Sequence, residues 1–300
     1  MSVGQKEKIM IEGNELTISN PHKLLWPEAQ VTKLDYLNKL VFLAPYLLRY
    51  CANRHLTTIR YPNGVQAKSF YQKNCPTGKP DFVQIAPLED IDYVNLNSLS
   101  TLMWLGNLAC LEFHPSLHYI GHMAPVEWII DLDPSRDPEP RIMEAAQAIG
   151  EILDSLRITS VPKTSGATGV QIYVPLPTDE RYSFDQLRQL GHFIASFAVQ
   201  KYPKLFTIER FKKNRGDLIY IDYLQHGYGR TLSAPYTPRA RPHATLSTPL
   251  LWSEVALRPD AKEFNLHNIE ERLKKLGDLI TRVPGQNLDM VLGKLGTVVH

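Results

Sequence analysis

Several features are scarce in this sequence of 300 residues, and each absence argues against a class of protein. There are three cysteines, Cys51, Cys75 and Cys110, and no C-x-x-C pair, which argues against a zinc knuckle and against a disulfide framework. No apolar run is long enough to span a membrane, and the N-terminal residues are too polar for a signal peptide. We therefore expect reduced thiols, a cytoplasmic location and no membrane partner.

The net charge is only +2, so the overall balance of positive and negative residues does not indicate a partner. The distribution along the chain is more informative. Residues 1–80 hold eleven Lys or Arg against five Asp or Glu, residues 201–241 hold nine against three, and residues 112–155 hold two against nine. An acidic segment between two basic ones suits metal chemistry beside a polyanion, and ordinary surface variation is the alternative.

The acidic segment contains the stretch that matters most, Val126 to Ser135. Its first five residues are mostly apolar and predict a buried strand, which leads into Asp131 and Asp133. Side chains at i and i+2 of a strand share a face, so these carboxylates project together. Mg²⁺ or Mn²⁺ would relieve their repulsion, whereas two solvated aspartates in a strand-to-loop turn are the alternative. A later strand, over residues 218–223, carries Asp222 near its end.

Two lysines flank the predicted start of a helix. Thr32 is a candidate N-cap, because apolar residues recur at helical spacing from Leu34 to Ala44. Lys23 lies in the preceding loop and Lys33 follows the cap, so their ammonium groups and the N–H groups of the helix start could bind one anion. Solvated surface lysines are the alternative.

Two further stretches carry weaker signals. Phe70 and Tyr71 end a strand among lysines, and adjacent side chains of a strand face opposite ways. We therefore expect at least one ring in the core, while the other could stack on a nucleic-acid base. The turn at residues 163–169 is rich in small residues and can offer backbone N–H groups to phosphates, although it has no Walker pattern.

Taken in order, eight motifs resemble the polymerase domain of bacterial ATP-dependent DNA ligase D, a branch of the archaeo-eukaryotic primase superfamily. The resemblance covers about residues 10–280. The motifs are N-x-x-K…W-P…T-K at 20–33, R-Y-P-N-G-V at 60–65, F-Y-x-K-x-x-P at 70–76, E-F-H-P at 112–115, D-L-D-P-S at 131–135, T-S-G-x-x-G at 164–169, I-D-Y-x-Q at 221–225, and A-P-Y-T-P-R-A-R-P with S-T-P-L within 234–250.

The resemblance implies an α/β (α+β) fold in which a mixed sheet carries three aspartates and an N-terminal α/β lobe packs beside it. It implies one polymerase domain over residues 1–300, with a DNA-end-binding part at 1–110 and a catalytic part at 111–285. The implied activity is primase-like nucleotidyl transfer in non-homologous end joining, which fills gaps and extends 3′ ends by two-metal catalysis. Nucleoside triphosphates, with ribonucleotides favoured, would be substrates, and Mn²⁺ or Mg²⁺ the cofactor. Expected partners are DNA with gaps, overhangs or 5′-phosphorylated ends, a Ku-like end-binding protein and a separate DNA ligase, at the bacterial nucleoid.

The resemblance also assigns residues by matched position. The two metal ions would be held by Asp131, Asp133 and Asp222. The nucleotide would be bound by His114, Ser165, Gln225, Arg239 and Arg215. The 5′-phosphate and the adjoining DNA would be bound by Asn20, Lys23, Lys33, Phe70 and Tyr71.

The chain departs from the family pattern at the S-G-x-K-G-L-H motif. Thr168 stands where lysine is common, and Gln171 stands where histidine is common. Loss of these positive charges would weaken nucleotide binding or transfer it to Arg215 and Arg239. The K-x-D-G adenylation motif of a DNA ligase is absent, so we expect a stand-alone polymerase domain or a fragment of a longer protein.

Two other functions compete with this interpretation. Haloacid dehalogenase-type phosphatases also place D-x-D after an apolar strand, but near the chain start and with Thr or Val two residues later. Here Ser135 holds that position and 130 residues precede the motif. A non-enzymatic DNA-end-binding module is disfavoured because all three aspartates are present. An assay of nucleotide incorporation distinguishes the three functions.

Overall fold

The computed structural model describes residues 6–298, the last three by their backbone alone. The strands are β1 (Lys6–Ile11), β2 (Asn14–Ser19), β3 (Leu24–Trp26), β4 (Val31–Thr32), β5 (Leu56–Arg60), β6 (Phe70–Gln72), β7 (Gln84–Leu88), β8 (Ile91–Asn95), β9 (Cys110–Pro115), β10 (Glu127–Asp133), β11 (Val161–Thr164), β12 (Val170–Pro175), β13 (Phe206–Thr207) and β14 (Ile219–Asp222). The α-helices are α1 (Lys33–Cys51), α2 (Leu99–Asn107), α3 (Ile142–Ser155), α4 (Phe184–Lys201), α5 (Trp252–Ala256), α6 (Ile269–Leu276) and α7 (Asp289–Val298).

The described residues form two compact units that alternate along the chain. The first comprises the residues up to Ser116, Thr231–Ser247 and Lys262–Lys275. The second comprises Leu117–Arg230, Thr248–Ala261 and the residues from Leu276 onward. A division in chain order at residue 110 therefore differs from these units, because two later segments belong to the first one.

The first unit contains a five-stranded sheet in the order β6-β5-β8-β7, with β9 also paired to β5. Helix α1 begins where the sequence predicts, because Thr32 and Asp35 form a capping box in which each side chain bonds the other's backbone N–H. Helix α1 packs against α2, where a Cβ added at Gly106 would lie 2.5 Å from Leu40 Cδ1. Glycine there permits the close approach of the two helices.

The second unit contains a five-stranded sheet in the order β11-β12-β10-β14-β13. Strands β13 and β14 are parallel and the other neighbouring pairs are antiparallel, so the predicted mixed sheet is confirmed. Central strand β10 is buried from Glu127 to Leu132, and α3 packs against β10 and β12. Helix α3 begins at Ile142, after Pro138 and Pro140, which lack the N–H that a helix interior requires.

Residues 231–250 are irregular, and Ala234, Tyr236 and Leu246 among them are buried. Helix α6 ends at Leu276, because Gly277 adopts φ +60° and stops it. Among the helices described, none is both long and apolar enough to cross a membrane.

Candidate functional site

The three predicted metal ligands lie on one face of the sheet in the second unit. Asp131 and Asp133 are alternate residues of β10, and Asp131 is directly opposite Asp222 of β14. Alternate and paired residues point to the same side of a sheet, so the carboxylates share that side. The strand extends through Asp133 and Asp131 is buried, so the alternative of two solvated aspartates in a turn is wrong.

The charge balance of this cluster is unfavourable without a cation. Burial, Asp133 and Asp222 raise the pKa of Asp131. Asp133, the solvent-exposed last residue of β10, is partly desolvated, and this desolvation and Asp222 likewise raise its pKa. A dication would give these oxygens a common positive partner and would favour their charged forms. Clustered carboxylate oxygens fit the hard ions Mg²⁺ and Mn²⁺.

The three carboxylates share a face without converging on one point. Asp222 Oδ1 accepts hydrogen bonds from the Tyr220 hydroxyl at 3.2 Å and from Leu224 N at 3.1 Å. Between residues 6 and 298, no three His, Cys, Asp or Glu side chains already surround a common centre. Mutual repulsion favours this spread, and a cation would offset it. Gln225, a predicted nucleotide-binding residue, ends the 3₁₀ turn that follows Asp222.

A basic segment before β14 acts on the same cluster. Arg215 stacks on the Tyr220 ring, with its guanidinium carbon 3.9 Å from the ring centroid. Hydrogen bonds to the carbonyls of residues 209–210, at 2.8 and 2.7 Å, fix its position. The charges of Arg215 and Lys212 oppose the effect of burial on the pKa of Asp133. The segment can therefore present cations to a phosphate beside the aspartates.

The predicted nucleotide-binding turn is held together by Ser165. Its Oγ accepts hydrogen bonds from the N–H groups of Ala167 and Gly169, each at 3.1 Å. These two backbone N–H groups are thus used inside the turn and are not available to a phosphate. A Cβ added at Gly169 would lie 2.4 Å from Leu132 O, so glycine lets the turn pack against β10 next to the aspartates.

In the first unit, Glu112 connects two predicted nucleotide-binding residues, His114 and Arg239. Glu112 Oε2 accepts a hydrogen bond from Arg239 Nε at 2.9 Å and lies 3.1 Å from His114 Nε2. Its Oε1 accepts from Ala240 N at 3.1 Å. Burial alone would raise the pKa of Glu112, but His114 and Arg239 lower it to about 2. Neither the residue patterns nor the resemblance assigns Glu112 a role, although its i, i+2 spacing from His114 on one strand is a usable signal.

The predicted 5′-phosphate residues lie around the start of α1. Lys23 Nζ donates to Pro62 O at 2.5 Å and to Asn63 Oδ1 at 2.8 Å. Lys33 Nζ is buried and donates to the carbonyls of residues 19 and 107, at 2.6 and 2.9 Å. Burial and the Lys23 charge lower the pKa of Lys33 to about 8. The charge of Lys23 therefore acts on Lys33.

The backbone N–H groups at this helix start are already used. They donate to oxygens of the chain: Lys33 N to Lys23 O at 2.8 Å, Leu34 N to Pro21 O at 2.9 Å, and Asp35 N to Thr32 Oγ1 at 3.2 Å. The expectation that amide groups of the helix bind the phosphate is therefore wrong. Exposed Asn20, at φ +51°, begins the turn, and its carbonyl accepts from Lys23 N at 3.1 Å.

Phe70 and Tyr71 are both exposed, at 43% and 74%, so the expectation that one ring is in the core is wrong. The alternation rule assumes that one face of a strand is covered, and neither face of the three-residue strand β6 is covered at these residues. The Arg60 guanidinium lies 5.1 Å from the centre of the Phe70 ring. Two exposed rings beside a cation are suited to stacking on nucleic-acid bases.

Comparison with known proteins gives concordant matches over most of the chain. The family model "LigD, primase-polymerase domain" matches residues 32–280. The bifunctional non-homologous end joining protein LigD of Bacillus subtilis is 38% identical over 264 residues, which cover 88% of this chain and 43% of that protein. The multifunctional LigD of Mycolicibacterium smegmatis is 29% identical, over 88% of this chain and 35% of that protein. The chain thus spans less than half the length of either relative.

A solved structure gives the same match. The polymerase domain from Mycobacterium tuberculosis Ligase D, determined in complex with DNA, aligns with a TM-score of 0.78 and 27% identity. The alignment covers 89% of this chain and 97% of that chain. Coverage this complete shows that the two chains share the same α/β fold.

Proposed function

Because the chain belongs to the LigD primase-polymerase family, a family of nucleotidyltransferases, we propose that it extends 3′ ends and fills gaps at DNA breaks during non-homologous end joining. One observation carries the proposal for this chain. Three carboxylates share a sheet face, and burial and mutual repulsion raise the pKa values of two of them. Such a cluster suits a divalent cation and the phosphates that accompany it.

Asp131, Asp133 and Asp222 would hold two divalent ions, Mn²⁺ or Mg²⁺. When bound, such ions polarise phosphoryl oxygens and favour the ionised form of a primer 3′-hydroxyl. The chain's own groups prepare the site: the Tyr220 hydroxyl and Leu224 N orient Asp222. Arg215, fixed by two carbonyls, would bind a phosphate of the nucleoside triphosphate by charge-assisted hydrogen bonds.

The family resemblance assigns His114 and Arg239, both in the first unit, to nucleotide binding. Glu112 holds both side chains, so their directions are set before the nucleotide arrives. Preorganised donors lose less conformational entropy on binding than mobile ones. Ser165 would shape the nucleotide-binding turn by its two internal hydrogen bonds, and Gln225 would contact the nucleotide from the turn after β14.

Asn20, Lys23 and Lys33 would recognise the 5′-phosphate on the far side of a gap. The support is that Lys23 and Lys33 flank the start of α1 and that the Lys23 charge lowers the pKa of Lys33. A terminal phosphate carries more charge than an internal phosphodiester and would gain more from these two lysines. Phe70 and Tyr71 would stack on template bases near that end. The substrate is therefore a gapped or broken duplex that retains a 5′-phosphate.

The finer parts of the proposal follow the family resemblance. They are a preference for ribonucleotides, use of Mn²⁺, cooperation with a Ku-like end-binding protein, and sealing of the product by a separate ligase at the nucleoid. The curated relatives are named for non-homologous end joining, and the solved relative was determined with DNA.

The test is extension of a primer on a gapped duplex with a downstream 5′-phosphate. Each of Mg²⁺ and Mn²⁺ is combined with ribonucleoside and with deoxyribonucleoside triphosphates. We expect template-dependent addition that needs a divalent ion and is greatest with Mn²⁺ and ribonucleotides. Release of inorganic phosphate from simple phosphate esters without incorporation would instead favour a phosphatase. Tight DNA-end binding with no incorporation in any combination would favour a binding module.

A further inference from the structure

A polar row crosses the sheet of the second unit at the level of Asp131. The strand register pairs Lys163 with Gln171, Gln171 with Asp131, and Asp131 with Asp222. Paired residues of antiparallel strands point to the same face, so a cation, an amide and two carboxylates stand side by side. The first two are almost fully buried, with Lys163 0% and Gln171 3% exposed.

The hydrogen bonds along this row are donated from Lys163 to Gln171 and from Gln171 to Asp131. Lys163 Nζ donates to Gln171 Oε1 at 2.5 Å, and the Gln171 side chain hydrogen-bonds the Asp131 carboxylate. An ammonium group can donate hydrogen bonds but cannot accept them. It therefore holds the Gln171 amide oxygen on its own side, which turns the amide NH₂ toward Asp131. A flipped amide would place its oxygen against the carboxylate and its NH₂ against the ammonium. The buried lysine therefore selects one of the two amide orientations.

The amide also keeps the ammonium away from Asp131. Strand β12 lies between the strands of Lys163 and Asp131, so their backbones are about two strand spacings, roughly 10 Å, apart. A direct ion pair between them would occupy carboxylate oxygens that a metal ion needs. The Gln171 amide therefore orients the Asp131 carboxylate without placing a positive charge that would compete with the metal ion.

We propose that Lys163 and Gln171 are positioning residues, in which the buried ammonium locks the Gln171 amide and the locked amide holds Asp131 ready for a divalent cation. The inference rests on the proposed metal-dependent function and deepens it. It also changes the meaning of one departure from the family pattern. Gln171, where histidine is common, has a defined task here and is not a lost binding group.

The experiment measures the Mn²⁺ dissociation constant by the electron paramagnetic resonance signal of free Mn²⁺, without DNA or nucleotide. Removal of a partner that orients a metal ligand commonly weakens metal binding by about 10- to 100-fold. We expect Lys163→Met and Gln171→Ala each to weaken binding by about tenfold or more. Lys163→Gln retains a donor for Gln171 Oε1, and we expect it to stay within about threefold of the unmutated protein.

The double variant Lys163→Met/Gln171→Ala gives the sharpest test. In Gln171→Ala alone, the amide no longer separates the Lys163 ammonium from Asp131, so the ammonium can approach the carboxylate and compete with the metal ion. Removing that ammonium as well should restore part of the affinity, so the double variant should bind Mn²⁺ more tightly than Gln171→Ala. A buried pair that only supports the fold would give the opposite order. Tyr173→Phe, which removes a buried hydroxyl two residues along β12, is the matched control and should not alter binding.

Three results would overturn the inference: Gln171→Ala binding Mn²⁺ like the unmutated protein, Lys163→Gln losing as much affinity as Lys163→Met, or the double variant binding more weakly than Gln171→Ala. Circular dichroism and melting in EDTA establish that each variant folds. If Lys163→Met does not fold, Gln171→Ala and Lys163→Gln still decide the matter.

Primer extension by the unmutated protein separates the inference from the proposed function. Extension together with unaltered Mn²⁺ binding in the variants overturns the positioning role and leaves the function standing. If the variants weaken Mn²⁺ binding as expected but the unmutated protein does not extend a primer, the proposed function is overturned and the positioning role stands. An unmutated protein that binds no Mn²⁺ overturns both.

Discussion

Glu112 in the first unit and the aspartate cluster in the second unit have opposite surroundings. In the first unit, Glu112 is bonded by Arg239, His114 and a backbone N–H, and these partners lower its pKa to about 2 despite burial. In the second unit, burial and neighbouring carboxylates raise the pKa values of Asp131 and Asp133. A carboxylate with cationic partners organises them, whereas a repelling cluster is stabilised by an added cation.

The comparison predicts effects of opposite sign. Neutralising an aspartate of the cluster should relieve repulsion in the metal-free protein and remove the metal site. Neutralising Glu112 should leave its cationic neighbours without a charged partner and destabilise the protein. The following experiments, from the largest expected effect to the smallest, test whether the two sets of carboxylates differ in this way.

Asp222→Asn should abolish nucleotide incorporation with both Mg²⁺ and Mn²⁺, because it removes one of the three carboxylates proposed to hold the ions. Binding to DNA ends, measured separately, should persist, since the lysines proposed to hold the duplex lie elsewhere. Asp217→Asn removes an exposed carboxylate from the same segment and should incorporate normally. Near-normal incorporation by Asp222→Asn would remove this residue from the metal site.

Glu112→Gln should raise the apparent KM for the nucleotide by about tenfold with a smaller change in kcat, because His114 and Arg239 lose the group that directs them. Breaking a buried ion pair on one side costs about 3 kcal/mol of unfolding free energy, measurable by denaturant titration. Because the pKa of Glu112 is lowered, its carboxylate stabilises the folded state at pH values above about 4.5, and this stabilisation is lost as the pH falls toward about 2. The stability cost of Glu112→Gln should therefore shrink over that pH range. An unchanged KM with the full stability loss would give Glu112 a purely structural role.

The metal-free protein should lose stability as the pH rises above the ordinary carboxyl range. The raised pKa values of Asp131 and Asp133 mean that the folded state holds more protons than the unfolded state there, so unfolding free energy falls with increasing pH. Asp131→Asn should reduce this dependence and be the more stable protein at about pH 7, by about 1–2 kcal/mol. Saturating Mn²⁺ should reverse the order of the two proteins. A metal-free Asp131→Asn variant less stable than the unmutated protein would contradict the repulsion argument.

Lys23→Ala should reduce the preference for a 5′-phosphate over a 5′-hydroxyl by about fivefold, equivalent to about 1 kcal/mol. In the unmutated protein the same preference should fall between about pH 7 and about pH 9.5, because Lys33 has a pKa of about 8 and loses its charge in that range. Fluorescence anisotropy at fixed salt measures both effects. Lys8→Ala, which removes an exposed lysine of the same unit, is the control. Equal affinity of the unmutated protein for both ends would leave a general basic surface and no phosphate pocket.

Local patterns predicted local structure well. The apolar run before Asp131 predicted β10, and the period of two placed Asp131 and Asp133 on one face. The Thr32 cap and the apolar spacing after it predicted the start of α1. In each case the interactions that form the strand or the helix start act between residues close in sequence. A short stretch of sequence was therefore enough to predict them.

Predictions about exposure and hydrogen-bond availability failed more often. Phe70 and Tyr71 are both exposed, because coverage of a strand face depends on distant segments. The amide groups at the start of α1 are used by carbonyls of the preceding loop, a detail that helix rules do not specify. Glu112 was overlooked because its partner Arg239 is 127 residues away.

By itself, the sequence determined the family, the mixed sheet and the shared sheet face of Asp131 and Asp133, since ordered motifs and strand periodicity depend on residue order alone. The tertiary structure decided which charges meet. It paired Glu112 with Arg239 and aligned Lys163, Gln171 and Asp131 across three strands. The physical reason is that Coulomb and desolvation energies depend on distances between groups and on burial, and the register of strands far apart in sequence sets both.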